Sequence, residues 1–152
     1  MIACPLWRQA AINSKTIALS DDQRSWTFQD WSDEADQWAN ALRAAGFGAS
    51  DQIATVADDP FKTAAQLFGA LRVGCAIALQ SDRDPEEAIR DQRERFKFNS
   101  FPENKLTKGP QIDLKPMIDE HRIATILFTS GSTSKPKAVC HSLSNHLKAA
   151  AG

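Results

Sequence analysis

Long apolar runs are absent from this sequence of 152 residues. The start, Met1 to Arg8, has no extended apolar stretch of the kind found in a secretory signal. No other run approaches the roughly 20 residues that a membrane-spanning helix requires. We therefore expect a cytoplasmic protein that has no membrane partner.

An excess of charge of one sign is also absent, because 18 Lys and Arg nearly balance 19 Asp and Glu to give a net charge of −1. A nucleic-acid-binding domain usually carries a basic face, so no nucleic-acid partner is expected. Hydrophobic residues form 42% of the chain and charged residues 24%, which is typical of an ordinary globular protein. The length suits one domain with a single core.

Cysteine is scarce, and Cys4, Cys75 and Cys140 are far apart, odd in number and without the spacing of metal ligands. Such usage favours a reduced compartment, in agreement with a cytoplasmic location. We interpret each cysteine as a small buried apolar residue and predict no metal site.

The first third of the chain predicts a small hairpin followed by a long helix. A strand at Thr16–Leu19 and a returning segment at Arg24–Trp26 are separated by a polar turn. Thr27 is placed to cap a helix that ends at Gly46. Its apolar residues recur at steps of three and four, at Phe28, Trp31, Ala35, Trp38, Leu42 and Ala45. We interpret this stripe as core rather than as a cofactor site.

The middle of the chain alternates between predicted strands and predicted helices. The predicted strands are residues 52–57 and 75–79. The predicted helices are residues 61–73 and a segment whose first turn is residues 84–87. This alternation predicts an α/β fold with a mostly parallel sheet and flanking helices. The last helix carries Arg90, Arg93 and Arg95, which we interpret as a solvated face. The stretch 99–116 is predicted to be an irregular connection.

One segment of the chain contains residues suited to binding a ligand. It starts with a predicted buried strand, Ile123–Phe128, and a second short apolar run begins at Ala138. Between them lie Gly131 and several small residues with hydroxyl groups. The backbone N–H groups and the hydroxyls of this segment can donate hydrogen bonds to phosphate oxygens. Lys135 and Lys137 supply cations. The order is not that of a Walker A loop, in which the lysine is followed by Ser or Thr. On composition alone, a plain surface loop stays an open alternative.

The order of residues in the run Thr129-Ser130-Gly131-Ser132-Thr133-Ser134-Lys135-Pro136-Lys137 resembles the phosphate-binding signature of the adenylate-forming superfamily of acyl-CoA synthetases, luciferases and adenylation domains. That signature runs Thr-Ser-Gly-Ser/Thr-Thr-Gly-x-Pro-Lys-Gly between two strands. Ser134 and Ala138 stand where the signature has glycine. The similarity extends upstream to residues 26–28, 51–54, 67–74 and 76–79, and implies that residues 1–152 are the N-terminal part of the large domain of such an enzyme.

The resemblance implies a role for each residue of the run. The residues expected to contact the phosphates of ATP are Thr129, Ser130, Gly131, Ser132, Thr133, Ser134 and Lys137. Lys137 is also the expected catalytic residue, because it would neutralise the leaving pyrophosphate. Lys135 is expected to be solvated. The family's adenine-binding motifs, Mg²⁺ ligands, acyl pocket and C-terminal domain lie downstream of its phosphate loop, so the fragment alone is expected to be inactive.

A narrower resemblance, to o-succinylbenzoate–CoA ligases of menaquinone biosynthesis, rests on Trp7-Arg8-Gln9, Ser132, Ala138, His141 and Asn145-His146. It implies ATP-dependent conversion of a small carboxylic acid to acyl-AMP and transfer to coenzyme A, with ATP, Mg²⁺ and CoA as the required small molecules. Another acyl or aryl ligase of the superfamily and a non-catalytic nucleotide- or partner-binding fragment remain alternatives. The oligomeric state is left open.

The histidines receive no catalytic role. His141 and His146 are five residues apart, which does not place both on one face of a helix, so a metal pair is not predicted. His121 belongs to a predicted polar turn, and no Ser-His-Asp or Cys-His set is evident.

Overall fold

The computed structural model describes residues 1–109, 116–129 and 135–152. In chain order its elements are β1 (Ile2–Ala3), α1 (Pro5–Asn13), β2 (Ile17–Ser20), β3 (Ser25–Thr27), α2 (Phe28–Ala44), β4 (Gln52–Val56), α3 (Pro60–Val73), β5 (Ala76–Gln80), α4 (Glu86–Phe96), β6 (Asn99–Ser100), β7 (Met117–Ile118), β8 (Ile123–Thr129), β9 (Lys137–Ser142) and α5 (Leu143–Ala151). Among these described elements, no helix combines the length and the apolar character needed to cross a membrane.

The centre of the fold is a five-stranded sheet in the order β6-β4-β5-β8-β9. The pairs β4–β6, β4–β5 and β5–β8 are parallel, and only β9 runs antiparallel to its neighbour β8. Ile53 and Ile77, which are paired across β4 and β5, are fully buried. The structure therefore confirms the predicted α/β fold with its mostly parallel sheet.

The predicted hairpin and long helix are both present. β2 pairs with β3 in antiparallel fashion, and α2 begins with a reciprocal capping box at Thr27 and Asp30. The Thr27 N–H donates to the Asp30 carboxylate at 2.9 Å, and the Asp30 N–H donates to the Thr27 hydroxyl at 3.1 Å. The hydrogen bonds that Thr27 donates to the carboxylate lower the pKa of Asp30, because they favour its charged form.

The apolar stripe of α2 is core, as predicted, except at Ala45, which follows the last turn of the helix and is exposed. Trp38 is buried and meets Phe101 edge-on with ring centroids 5.5 Å apart. Trp31 meets Phe68 of α3 in the same way at 5.2 Å. α2 and α3 lie against each other, and Gly69 of α3 makes their closest approach possible: a Cβ added there would lie 2.8 Å from the Trp38 Cβ.

Three short features were not predicted. α1 begins at Pro5 and buries Leu6 and Ala10, and β1 pairs with β7 in a separate two-stranded sheet. β6 lies inside the stretch 99–116, where we predicted only irregular structure, and joins the main sheet beside β4. A strand of two residues has no alternation to recognise, so these pairings depend on tertiary contacts.

The cysteine prediction is correct for two of the three residues. Cys4 and Cys75 are buried, but Cys140 is exposed because it lies on β9 at the edge of the sheet. The Cys75 thiol donates to the Gly48 carbonyl at 3.2 Å. Burial raises the pKa of Cys75 from 9.0 to about 12, with a smaller contribution from the charge of Asp51.

This difference predicts selective alkylation. Because the thiolate is the reactive form and must be reached by the reagent, Cys140 should react with iodoacetamide at least about tenfold faster than Cys4 or Cys75 in the folded chain. Mass spectrometry of peptides after timed labelling measures the three rates, and labelling in urea is the control that equalises access. Fast labelling of Cys75 in the native chain would contradict its placement in the core.

Candidate phosphate-binding site

The candidate site lies where the β8–β9 hairpin turns. The structure confirms a strand on each side of the predicted loop, with β8 extending to Thr129 and β9 beginning at Lys137. The two strands pair from Thr129 opposite Lys137 down to Ile123 opposite Ser142. The hairpin ladder thus fixes both ends of the predicted phosphate loop.

Thr129 and Lys137 are directly opposite each other and both are exposed. Residues paired in this way present their side chains on the same face of a sheet, with Cβ atoms about 5 Å apart. A hydroxyl and an ammonium group therefore start from neighbouring positions at the end of the hairpin. The other predicted contacts, Ser130, Gly131, Ser132, Thr133 and Ser134, lie outside the described residues.

The position of the hairpin in the sheet suits ligand binding. β8 runs parallel to β5, so Thr129 stands at the carboxyl end of β8 on the same edge as the carboxyl end of β5. In open α/β sheets, ligands bind in crevices outside the carboxyl ends of the strands. Thr129, Lys137 and the exposed Lys135 all stand at this edge.

Ala138, which replaces a glycine of the family signature, is accommodated by the fold. It pairs with Phe128 across the hairpin and packs, together with Phe98, against a buried cluster that includes Ile126. Its methyl group therefore adds to the core on the face opposite Thr129 and Lys137. The other departure, Ser134, falls outside the described residues.

The arginines of α4 do not form a uniformly solvated face, and the prediction is wrong for Arg93. Arg93 is half-buried and donates to the Gln80 side-chain oxygen at 2.7 Å and to the Ser100 hydroxyl at 3.2 Å. Arg95 is exposed but donates from Nη1 to the carbonyl oxygen of Pro136 at 3.0 Å. Arg90 is exposed, and no hydrogen bond or ion pair of its side chain is found among the described residues.

His141 and His146 lie close together, contrary to the argument from helix spacing. His141 is on β9 and His146 is on α5, and the turn between these elements brings the ring centroids within 5.5 Å. His146 Nε2 also lies 2.8 Å from the hydroxyl of the buried Thr125. Among the described residues, no group of three or more His, Cys, Asp or Glu is arranged to hold a metal ion.

The turn from β9 into α5 is held by a capping box at Ser142 and Asn145. The Ser142 N–H donates to the Asn145 side-chain oxygen at 2.9 Å, and the Asn145 N–H donates to the Ser142 hydroxyl at 3.2 Å. Asn145 therefore has a structural role, and together with His146 it holds α5 against the hairpin.

Comparison with known proteins agrees with this geometry. The family model described as AMP-binding enzyme matches residues 6–98 and 88–152. The chain is 28% identical over 174 residues to the 2-succinylbenzoate–CoA ligase of Geobacillus kaustophilus, covering 100% of this chain and 35% of the relative. It is 30% identical over 126 residues to the malformin synthetase of Aspergillus vadensis, covering 70% of this chain and 2% of that protein. The chain thus spans about a third of the length of the first of these relatives.

Solved structures share the fold. O-succinylbenzoate coenzyme A synthetase from Bacillus subtilis, in complex with AMP, superposes with a TM-score of 0.79 at 18% identity, covering 96% of this chain and 44% of that one. The N-terminal subdomain of Klebsiella oxytoca NpsA gives a TM-score of 0.75 at 18% identity, covering 94% of this chain and 42% of that one. The family match covers nearly all of the sequence, and this chain belongs to the AMP-binding enzymes.

Proposed function

We propose that this chain supplies the phosphate-binding part of an ATP-dependent acid–thiol ligase that forms AMP. The observation that carries the proposal is the β8–β9 hairpin, which sets Thr129 opposite Lys137 at the carboxyl edge of the sheet. The family match supports a nucleotide as the ligand. Thr129, Ser130, Gly131, Ser132, Thr133, Ser134 and Lys137 are the residues that we assign to the β- and γ-phosphates of ATP.

In the proposed first step, a carboxylate oxygen of the acid attacks the α-phosphorus of ATP. The bond from that phosphorus to its bridging oxygen breaks, and pyrophosphate leaves with the bonding electrons. Lys137 offsets the negative charge that builds on the leaving group, and the hydroxyls of the loop donate hydrogen bonds to it. In the second step, the thiol of coenzyme A attacks the acyl carbon, loses its proton, and displaces AMP.

The acid that we propose is 2-succinylbenzoate, because two curated relatives that this chain matches over nearly its whole length bear the name 2-succinylbenzoate–CoA ligase. Residues 1–152 then correspond to the N-terminal part of the AMP-binding domain of a cytoplasmic ligase of menaquinone biosynthesis. We assign no Mg²⁺ ligand to the described residues, which hold no cluster of three suitable side chains. The Mg²⁺ ligands, the acyl pocket and the CoA site belong to other parts of the enzyme, so this chain alone is expected to form no acyl-adenylate.

A second candidate is a ligase of the same superfamily that acts on a different acid. The identity of 30% to a malformin synthetase favours this alternative, although the match covers only 2% of that large protein. The phosphate-binding role of the hairpin is the same in both candidates. They differ only in the acid that is activated.

The test is ATP–pyrophosphate exchange by the polypeptide that carries this sequence, purified from its source cells, with a panel of acids. We expect exchange of label that depends on 2-succinylbenzoate and is lost in a strain carrying Lys137→Ala. Exchange with another acid would favour the second candidate. Absence of exchange with every acid, in a preparation that still binds ATP, would contradict a catalytic role and favour a non-catalytic nucleotide-binding fragment.

A further inference from the structure

The end of α4 packs against the end of β8, at the base of the candidate phosphate loop. Phe96 and Phe98 are stacked with ring centroids 5.6 Å apart, and both contact Phe128, at 5.8 Å and 6.0 Å. α4 ends at Phe96, and the next residue, Lys97, has a left-handed backbone with φ of 56° and turns the chain back toward the sheet. The last turn of α4 is therefore fixed next to the point where β8 enters the loop.

Arg95 lies in this last turn, and its side chain contacts the backbone just before β9, the second strand of the hairpin. Its guanidinium lies 4.9 Å from the Phe96 ring centroid, and its Nη1 donates to the Pro136 carbonyl at 3.0 Å. Pro136 is the residue immediately before Lys137, and its ring restricts its own φ. The hydrogen bond therefore holds the backbone at the point where Lys137 starts β9.

The surroundings of Arg95 argue against direct binding of an anion by its side chain. Asp91, Glu94 and Lys135 line the same cleft as Arg95, so the two acidic groups there balance the charges of Arg95 and Lys135 and leave no net positive charge. Phe128 and Ala138 belong to the cluster next to α4, whereas Thr129 and Lys137 point to the other face by the alternation of the strands. Arg95 and Lys137 thus approach the loop from opposite faces of the hairpin.

We propose that Arg95 is a positioning residue, which acts on phosphate binding through Lys137. The inference depends on the proposed function of the hairpin. Arg95 fixes the Pro136 carbonyl, and this keeps the Lys137 ammonium opposite Thr129. Without Arg95, water hydrogen-bonds to the Pro136 carbonyl and the backbone at the start of β9 becomes more flexible. Lys137 then spends less time in the binding position. A planar guanidinium supported by an aromatic ring is suited to this task because little freedom is lost on forming the bond.

The test is titration of the 152-residue chain with pyrophosphate. Binding is measured by calorimetry and by the amide NMR signals of Lys135 and Lys137. We expect Arg95→Ala to weaken binding about tenfold and to shift both amide signals before any ligand is added. Arg95→Lys, which keeps a donor, should bind at least about threefold more tightly than Arg95→Ala. Arg90→Ala removes an exposed arginine from the same helix, one with no side-chain hydrogen bond or ion pair among the described residues, and it should bind like the wild type.

A double-mutant cycle separates positioning from direct binding. In a Lys137→Ala background, Arg95→Ala should lower the affinity by less than about twofold further, since its effect passes through Lys137. Equal affinity of Arg95→Ala and Arg90→Ala, or losses that simply multiply in the double variant, would overturn the inference. Failure of the wild-type chain to bind pyrophosphate would instead contradict the proposed function. If Arg95→Ala does not fold, Arg95→Met, which keeps most of the side-chain stem but has no donor, takes its place, and affinity equal to that of Arg90→Ala would overturn the inference.

Discussion

Replacing Gly69 with alanine is expected to lower the free energy of unfolding by about 2 kcal/mol, the reverse of what helix propensity predicts. A Cβ at this position would lie 2.8 Å from the Trp38 Cβ, 2.9 Å from the Ala35 carbonyl oxygen and 3.1 Å from the Ala39 nitrogen. Two of these three atoms belong to the backbone of α2, so the helices themselves must separate. Alanine favours a helix over glycine by about 1 kcal/mol, which offsets only part of the strain.

Urea unfolding followed by tryptophan fluorescence measures this effect, since Trp31 and Trp38 lie at the contact between α2 and α3. Gly48→Ala is the matched control, because a Cβ at Gly48 would meet nothing within 4 Å. The control variant should unfold within about 0.5 kcal/mol of the wild type. A Gly69→Ala variant whose urea midpoint is unchanged or raised would contradict the close packing of α2 on α3.

Regular elements were predictable from the sequence where local chemistry agrees with tertiary structure. In α2, the apolar stripe, the Thr27 cap and Gly46 all favour one helix, and the structure contains it. In β5, a continuous apolar run predicts a strand covered on both faces, and four of its five residues are buried. The residue order around Pro136-Lys137 was likewise enough to predict a strand on each side of the loop.

Contacts between residues that are distant in sequence were not predictable. Nothing in the local sequence of α4 distinguishes Arg95, which reaches a carbonyl 41 residues later, from Arg90. Helix spacing separates His141 from His146, whereas the chain changes from strand to helix between them and brings the rings together. The role of Gly69 depends on the approach of a second helix, which the residues on either side of this glycine do not specify.

The second large effect is expected at Lys137. Replacing it with alanine should weaken pyrophosphate binding by about tenfold to a hundredfold, because a charged hydrogen-bond donor contributes about 1.5–3 kcal/mol. Lys137 is paired with Thr129 at the mouth of the loop, whereas Lys135 lies in the cleft that Arg95, Asp91 and Glu94 also line. Lys135→Ala removes the same charge from the same loop and should weaken binding by less than about threefold.

The central claim is that this hairpin binds the phosphates of ATP, and the most direct measurement is a calorimetric titration of the 152-residue chain with pyrophosphate at low ionic strength. The wild-type chain should bind one equivalent, Lys135→Ala should bind nearly as well, and Lys137→Ala should bind at least about tenfold more weakly, with all three showing the same near-UV circular dichroism. Binding that is absent in the wild type, or equally strong in Lys137→Ala, would contradict the claim.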